Sequence, residues 1–305
     1  MADQGTGMSD LWKRLRFVFM AIVVYRIGTH IPIPGIDPDR LAQLFEQNQG
    51  TILDMFNMFS GGALERMSIF ALNVIPYISA AIIMQLFSNS IPYLIELKKD
   101  GQAGRNKITQ YTRYGTVLLA FIQASALAVT LSASGLAFAP GTSFFISAVF
   151  SVVAGTVFLM WLGEQVSERG IGNGISIIIA TSILTGIPGA IGQALEQSRQ
   201  GDLNILLLIG IGLLAMVVIA IVVFIERGQR RITVNYAQRQ QGRRMMQAQT
   251  SHLPFKVNMA GVIPAIFAST FLLFPASLST WFGQSDSLGF LQSISLALNP
   301  GQPLY

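Results

Sequence analysis

Residues 203–225 read LNILLLIGIGLLAMVVIAIVVFI, an uninterrupted run of 23 residues without a charge. An α-helix needs about 20 mostly apolar residues to cross roughly 30 Å of hydrocarbon. The composition agrees, because 51% of the 305 residues are hydrophobic and only 11% are charged, whereas soluble domains carry roughly 25% charged residues. The sequence therefore predicts a membrane protein and, with no cysteine, excludes a disulfide scaffold.

The same length criterion predicts several more membrane spans. Together with the run above they make an all-α polytopic membrane protein of seven spans, at 17–36, 69–91, 115–139, 144–166, 171–195, 203–225 and 257–282. The apolar stretch 52–59 before the second span is too short to cross, and it is followed by Gly61 and Gly62. A half-helix, a re-entrant segment or an interfacial helix would all fit that stretch.

The distribution of Lys and Arg predicts the orientation. Of the 20 cations, 16 fall on one side of the predicted spans and three on the other, and Arg26 lies within the first span. Cytoplasmic loops carry the excess of cations in membrane proteins. We therefore expect the N-terminus in the cytoplasm. Seven cations lie in the loop 226–256, which suits docking to phosphate backbone or an acidic protein surface, although orientation alone also explains their sign.

Two prolines interrupt spans in similar local sequences. VIPYI at 74–78 and VIPAI at 262–266 agree at four of five positions, and the predicted topology gives the two copies opposite polarity. Broken helices in opposite orientation are typical of an inverted repeat, and chance similarity between Val- and Ile-rich spans is the other interpretation. The repeat would divide the chain into a five-span half, 1–200, and an incomplete second half, 201–305.

Isoleucine recurs at spacing four along the fifth span, at 171, 175, 179, 183, 187 and 191. Such a stripe drifts slowly around a helix with 3.6 residues per turn. It fits either ordinary packing against helices and lipid or an aliphatic constriction that excludes water.

The sequence shows no evident set of residues that could form a catalytic site. His30 and His252 lie on opposite faces of the membrane in the predicted topology, so they cannot share a metal or a triad. Glu164 and Glu168 lie one turn apart at a span end, where a solvated helix end beside Arg169 is the simpler interpretation and a catalytic carboxylate pair the alternative. We expect neither a cofactor nor an enzymatic activity.

Seven strings, in order along the chain, closely resemble the bacterial SecY family, the central subunits of the Sec protein-conducting channel. They are PIPGI (32–36), FNMFSGGA (56–63), QYTRYG (110–115), WLGEQ (161–165), ERGIGNGIS (168–176), ERGQRR (226–231) and HLPFKVNMAGVIP (252–264). The resemblance implies two inverted five-helix halves around an hourglass pore that passes unfolded polypeptides across the membrane or sideways into it. Members of the family continue through three more spans. The solute-transporter alternative, also built from inverted repeats, would need polar groups at the membrane midplane.

The resemblance also implies site residues, carried over position by position. An aliphatic ring at the pore waist comprises Val74, Ile78, Ile175, Ile179 and Ile266, with Val74 standing where isoleucine is common. A plug that seals the outer side covers about 52–66 and includes Phe56, Asn57, Met58, Phe59, Ser60, Gly61 and Gly62. The residues implied to bind a ribosome or motor are Arg105, Arg239, Arg243 and Arg244.

The implied partners and location follow from the same resemblance. The partners are the SecE and SecG subunits, the SecA motor, the ribosome, a secretory polypeptide with its signal sequence, and membrane lipid. The implied location is the bacterial inner membrane, and the lateral gate would open between spans two and seven.

The orientation is testable because introduced cysteines would be the only thiols. A cysteine at Arg105 or Gln240 should react with an impermeant thiol reagent only when the cytoplasmic face is accessible, since both positions lie on the cation-rich side. A cysteine at Gln197 should react from outside and is the matched control. Labelling of position 240 in intact cells would reverse the assigned orientation.

Overall fold

The structure is a computed structural model, and it describes residues 4–37, 40–41, 57, 60–139, 141–201, 204–235, 240–241, 244–245 and 250–258. It is mostly helical. The helices are α1 (Gln4–Gly28), α2 (Ile75–Ser90), α3 (Pro92–Lys99), α4 (Gln102–Ala133), α5 (Thr142–Arg169), α6 (Gly174–Gln200) and α7 (Ile205–Arg227). The strands are β1 (Gln229–Asn235), β2 (Gln240–Gln241), β3 (Arg244–Met245) and β4 (Thr250–Lys256).

Among the described residues, four helices, α4 to α7, are long and apolar enough to cross a membrane, and α2 with α3 forms a fifth candidate that is bent by 93°. The third to sixth predicted spans lie largely within α4 to α7, which confirms a multi-pass membrane protein. The bend follows from Pro92, because a proline disfavours helical dihedrals in the residue before it. Ile91 accordingly has φ −91° and ψ 120°.

The first predicted span, 17–36, is wrong in its limits, because α1 runs from Gln4 to Gly28. The residues after it form irregular backbone in which Pro32 pairs with Ser68 and Ile36 pairs with Ala137 in isolated β-bridges. Pro32 and Pro34 explain the early end, since proline has no N–H to continue a helix and restricts its predecessor.

The second predicted span, 69–91, is also longer than the helix it contains. Residues 61–74 form turns, and α2 begins only at Ile75, with Pro76 in its first turn. Proline is tolerated there because the first N–H groups of a helix have no intrahelical partner. Pro76 therefore starts a helix where the sequence analysis predicted that it breaks one. The comparable proline of the seventh span lies outside the described residues, as does that span from position 259 onward.

The chain divides into two compact units, and the boundary lies between Ala190 and Ile191 within α6. In the first unit α4 packs against α2 and α5, and α5 also contacts α1. The face of α4 in this packing is built from small residues at spacing four, with Ala120, Ala124 and Ala128 all buried. Small side chains let helix backbones approach closely in membranes.

The second unit contains α7 and the strands. β1 and β4 pair antiparallel, with Ile232 opposite Leu253. The helix joins this sheet through short contacts: the amide of Val257 donates to the carbonyl of Gly228 at 3.0 Å, and Nδ2 of Asn258 donates to Oε1 of Glu226 at 2.6 Å. Along its full length α7 buries no residue, as expected of a helix whose surroundings are apolar.

A close approach in the first unit yields a packing prediction. A Cβ at Gly155 of α5 would overlap the carbonyl oxygen of Ile69 and lie 3.2 Å from the Phe70 ring. Replacing Gly155 with Ala should lower the free energy of unfolding by about 1–3 kcal/mol, the usual cost of overpacking. Gly186→Ala in α6 is the control, because its Cβ would meet nothing within 4 Å. Thermal unfolding in detergent measures both, and equal midpoints would refute this packing.

Candidate pore and plug site

Four of the five implied waist residues lie in one hydrophobic cluster. Val74 is buried in it, and Ile78, Ile175 and Ile179 are partly buried against it. These residues come from the start of α2 and the start of α6, which are about a hundred positions apart in the sequence. The fifth, Ile266, lies outside the described residues. The structure therefore brings together every implied waist residue that it describes.

The start of α6 is fixed by its own polar residues. Oδ1 of Asn173 accepts from the amides of Ile175 at 3.0 Å and Ser176 at 3.3 Å, which satisfies two N–H groups that lack intrahelical partners. Oγ of Ser167 in α5 accepts from the amide of Gly174 at 2.8 Å. These bonds hold the first turn of α6, and with it Ile175, against the end of α5.

The start of α2 is set by an unusual backbone. Asn73 has φ +49°, a left-handed conformation that is uncommon for residues other than glycine and enriched in asparagine. The amide of Ile78 then donates to the carbonyl of Val74 at 3.0 Å. The turn at Asn73 thus places Val74 and Ile78 one helical turn apart, both in the cluster.

The isoleucine stripe of α6 is divided by the structure. Ile175 and Ile179 pack against the hydrophobic cluster, whereas Ile187 and Ile191 are 45% and 56% exposed. Only the first part of the stripe therefore shares a site with the α2 residues. The spacing alone did not distinguish these two parts of the helix.

The carboxyl end of the plug that the resemblance implies is described at Asn57 and from Ser60 onward. Phe56, Met58 and Phe59 lie outside the described residues. Asn57 and Glu65 bind each other twice: Nδ2 of Asn57 donates to Oε2 of Glu65 at 3.1 Å, and the amide of Glu65 donates to Oδ1 of Asn57 at 3.0 Å. The amide of Gly62 donates to the carbonyl of Asn57 at 3.0 Å. The segment is therefore a compact turn closed by its own side chains.

Gly61 brings this turn against α6. Its φ is +67°, and a Cβ there would lie 3.0 Å from Oγ1 of Thr185 and 3.1 Å from Cα of Ser182. Both the backbone conformation and the close approach favour glycine. Gly62 also has positive φ, at +77°.

A buried polar cluster lies between these elements, and the sequence analysis missed it. The hydroxyls of Tyr25 in α1 and Ser182 in α6 are 2.6 Å apart. Tyr25 also donates to the carbonyl of Ser60 at 3.1 Å, and Nδ2 of Asn73 donates to Oγ of Ser182 at 3.0 Å. These residues are far apart in the sequence and form no motif, so the only available signal was a small polar residue inside an apolar helix.

Charged groups near the site are bound locally. Nη1 of Arg26 donates to the carbonyl of Gly61 at 3.4 Å. Nδ1 of His30 lies 2.9 Å from the carbonyl of Arg26, and its Nε2 lies 3.2 Å from Nη1 of Arg66. In the part of the chain that the structure describes, no group of three or more His, Asp or Glu residues could hold a metal ion.

Glu164 forms a salt bridge that was not predicted from the sequence. Nε of Arg113 in α4 lies 2.8 Å from Oε1 of Glu164 in α5. Arg113 is half exposed, so the pair contributes little stability and chiefly marks where α4 and α5 meet.

The implied docking residues are described in part. Arg105 is exposed in the first turn of α4. Arg244 lies in β3 and pairs with Gln241 of β2, and Arg239 and Arg243 lie outside the described residues. The segment 226–256 was predicted as a loop, and the structure shows β1 and β4 paired within it. The alternation of Ile232 and Val234 with polar residues was the available signal for these strands.

Comparisons with known proteins agree along the chain. The family model described as SecY matches residues 68–305. The protein translocase subunit SecY of Pseudomonas aeruginosa is 64% identical over 311 residues, which cover 100% of this chain and 70% of that protein. The Escherichia coli K12 protein of the same name is 58% identical and covers 98% of this chain and 68% of that one.

Solved structures give the same fold at lower identity. A structure described as a protein-conducting channel has a TM-score of 0.65 at 20% identity and covers 90% of this chain. Sec61 in the canine ribosome-channel complex from the endoplasmic reticulum has a TM-score of 0.63 at 19% identity, also over 90% of this chain. The chain spans 59% of each of these structures.

These likenesses decide the fold class and the family. The predicted all-α SecY-like architecture is confirmed by structures that share it, and no comparison supports the solute-transporter alternative. Because the family model matches well over half of the residues and the relatives match from end to end of the sequence, the chain belongs to the SecY family of protein translocase subunits.

Proposed function

We propose that this chain forms the amino-terminal part of the wall of a protein-conducting channel, with its waist at Val74, Ile78, Ile175 and Ile179. One observation carries this: aliphatic side chains from the starts of α2 and α6 meet in one cluster. The Ser60–Gly61 turn packs on α6 one turn beyond Ile178. A channel for a long, chemically varied polymer needs a waist without fixed charges, because a charged site would bind some segments and repel others.

The physical mechanism follows from the chemistry of the waist. A narrow ring of branched aliphatic side chains cannot hold a stable water column, so ions meet a dewetting barrier. An unfolded polypeptide brings its own surface and displaces the side chains, which adapt by rotamer changes. Transport then needs no cofactor in this chain and is driven by a bound motor or ribosome.

The location and partners are part of the proposal. The relatives are named as bacterial translocase subunits, which supports the bacterial inner membrane, and the cation asymmetry supports a cytoplasmic N-terminus. One solved neighbour is described in a ribosome-channel complex, which supports ribosome docking. SecE, SecG and SecA complete the proposed assembly, with a secretory polypeptide as its cargo.

The proposed division of the chain remains that of the sequence analysis. Residues 1–200 form the first half and 201–305 part of the second, and Ile266 would add a waist residue from the second half. The plug is proposed to cover about 52–66, held over the waist by the turn that contains Gly61.

The waist assignment is tested by substitutions that should let water enter the constriction. Replacing Ile78 and Ile179 together with Ser removes aliphatic bulk and adds hydroxyl groups, which should wet the constriction and raise resting ion conductance several-fold. Planar-bilayer recordings measure this in the assembled translocase, with the spans beyond this sequence supplied by the Pseudomonas aeruginosa relative. Polypeptide transport should persist, because the ring is a seal and not a binding site.

The control for the waist is a matched double substitution on the same stripe. Ile183→Ser with Ile187→Ser makes the same chemical change farther along α6, where Ile187 is 45% exposed. If the two double variants leak equally little, the stripe is ordinary packing and the pore assignment fails.

Docking by the basic segment is tested by charge reversal. Replacing Arg243 and Arg244 with Glu should weaken ribosome or SecA binding at least tenfold, since each reversal removes an attraction and adds a repulsion. Higher salt should weaken the unmodified chain in the same way. Co-sedimentation with ribosomes and binding of purified SecA provide the measurement. Unchanged affinity for both partners would leave these arginines with a role in orientation alone.

A further inference from the structure

The buried polar cluster joins four separate stretches of the chain. Tyr25 of α1, Ser60 of the plug turn, Asn73 before α2 and Ser182 of α6 are each at most 1% exposed. Their polar atoms form a continuous set of hydrogen bonds, the shortest being the 2.6 Å contact between the hydroxyls of Tyr25 and Ser182. The aliphatic waist needs none of these groups. A buried hydroxyl or amide is costly unless it is hydrogen-bonded, so their joint presence calls for a positional role.

The cluster adjoins the proposed waist at two points. Asn73 directly precedes Val74, and Ser182 follows Ile178 by one turn on α6, where its Oγ lies 2.9 Å from the Ile178 carbonyl oxygen. The 3.0 Å bond from Asn73 Nδ2 to Ser182 Oγ therefore ties the start of α2 to α6. Any movement that widens the waist between these helices must lengthen this bond.

The plug turn is attached to the same cluster. Tyr25 donates to the carbonyl of Ser60 at 3.1 Å, and the next residue, Gly61, approaches Ser182 so closely that a Cβ would lie 3.1 Å from its carbonyl oxygen. Arg26, adjacent to Tyr25, donates to the carbonyl of Gly61 at 3.4 Å. Two successive carbonyls of the plug turn are thus held by two successive residues of α1.

The hydroxyl donors of the cluster can bind the plug turn and can also find other acceptors when the turn leaves. Each hydroxyl carries one proton, which it directs by rotation. With the plug seated, Ser182 donates to Tyr25 and Tyr25 donates to Ser60. When the plug leaves, Tyr25 turns its proton to Ser182, and Ser182 donates to the Ile178 carbonyl of its own helix, a bond that serines in membrane helices commonly make. Both hydroxyls keep an acceptor, so opening of the channel leaves no buried donor without a hydrogen bond.

We propose that Tyr25, Asn73 and Ser182 form a latch that holds the carboxyl end of the plug closed over the waist. The same latch makes the position of the plug depend on the spacing between α2 and α6. Tyr25 is its central positioning residue, because it contacts the carbonyl of Ser60, Asn73 before α2 and Ser182 of α6. The latch rests on the proposed pore and plug. It adds to them a defined set of bonds that a translocating chain must break.

Tyr25→Phe tests the latch with little disturbance of packing. The Tyr25 ring stacks on Phe70 with centroids 6.0 Å apart and planes 1° apart, and phenylalanine keeps this contact. Loss of the hydroxyl should raise the resting open probability about fivefold, which corresponds to about 1 kcal/mol at 1.4 kcal/mol per tenfold change. Planar-bilayer conductance of the assembled translocase measures it. Tyr114→Phe is the control, because that hydroxyl is on an exposed side chain and accepts from Gln110 of its own helix.

Variants of Ser182 separate positioning from general loss of stability. Ser182→Ala should open the channel to a similar degree, and Ser182→Thr should restore the closed state because it keeps a hydroxyl. The double variant Tyr25→Phe with Ser182→Ala should leak no more than about either single variant, since the two residues share one bond. Fully additive leakage, or no rescue by Thr, would contradict a shared latch.

A disulfide reports the plug position directly. Cysteines at Gly61 and Thr185 would be close enough to bond, because a Cβ at position 61 would lie 3.0 Å from Oγ1 of Thr185. Gly61 has φ +67°, so the single variant Gly61→Cys, which carries the same strain without the bond, is the reference for each measurement. The oxidised pair should block transport of a secretory protein, and reduction should restore it. In the Tyr25→Phe background the pair should oxidise to a lower extent at rest.

The outcomes for the latch and the pore are distinguishable. If the Ile78 and Ile179 double variant leaks while Tyr25→Phe neither leaks nor lowers the crosslinking, the pore stands and the latch is wrong. If the waist variant fails to leak, the pore assignment falls. Crosslinking then still decides whether Tyr25 holds the turn at Gly61 against α6.

Discussion

The structure depends on one constraint, which is that the irregular backbone of residues 61–74 must be hydrogen-bonded inside a helical membrane protein. No water is available in hydrocarbon, so non-helical backbone persists there only where protein groups bind it. The amide of Ile33 donates to the carbonyl of Met67 at 2.8 Å, and the amide of Ile69 donates to the carbonyl of Ile31 at 3.0 Å. Residues just beyond α1 therefore satisfy the segment that leads into α2.

This constraint explains why the neighbouring helices carry glycine where they do. A Cβ at Gly28, the last residue of α1, would overlap the ring of Phe70, and one at Gly155 of α5 would overlap the carbonyl of Ile69. Both glycines let a helix approach the irregular segment closely. The segment then brings Val74 and Ile78 into the hydrophobic cluster that they share with the start of α6. A continuous helix from residue 69 would have placed these two side chains elsewhere.

Hydropathy predicted the third to sixth spans well, because transfer into hydrocarbon depends on local composition alone. It could not predict that α1 ends at Gly28 or that α2 starts at Ile75, since those limits depend on bonds between distant residues such as Ile33 and Met67. The β1–β4 sheet was missed for a related reason. The partner of β1 lies about twenty positions away, so the only local sequence signal for this strand was a short alternation of apolar and polar residues. The seven cations of the same segment favoured its interpretation as a charged loop.

The residues of the proposed waist come from the resemblance, and the structure places Val74 and Ile175 in one hydrophobic cluster. The polar cluster could not be anticipated, because Tyr25 and Asn73 are 48 positions apart and Asn73 and Ser182 are 109 apart. No periodicity or motif relates three single polar residues in three different elements. Their association exists only once the irregular segment has folded against α1 and α6.

The adjacency of the proposed polar latch and the proposed apolar waist would meet two demands that one kind of interaction cannot meet. Sealing against water requires an apolar ring, but hydrophobic contact is non-directional and does not specify where a movable turn should rest. Hydrogen bonds are directional and can specify a position, yet placed in the waist they would wet it. Asn73 and Val74 are adjacent in the sequence, and Ile178 and Ser182 are one helical turn apart, so the same helices would provide both the proposed seal and the proposed latch. Under that proposal, movement of α2 against α6 would weaken both together, and no separate sensor would be needed to couple them.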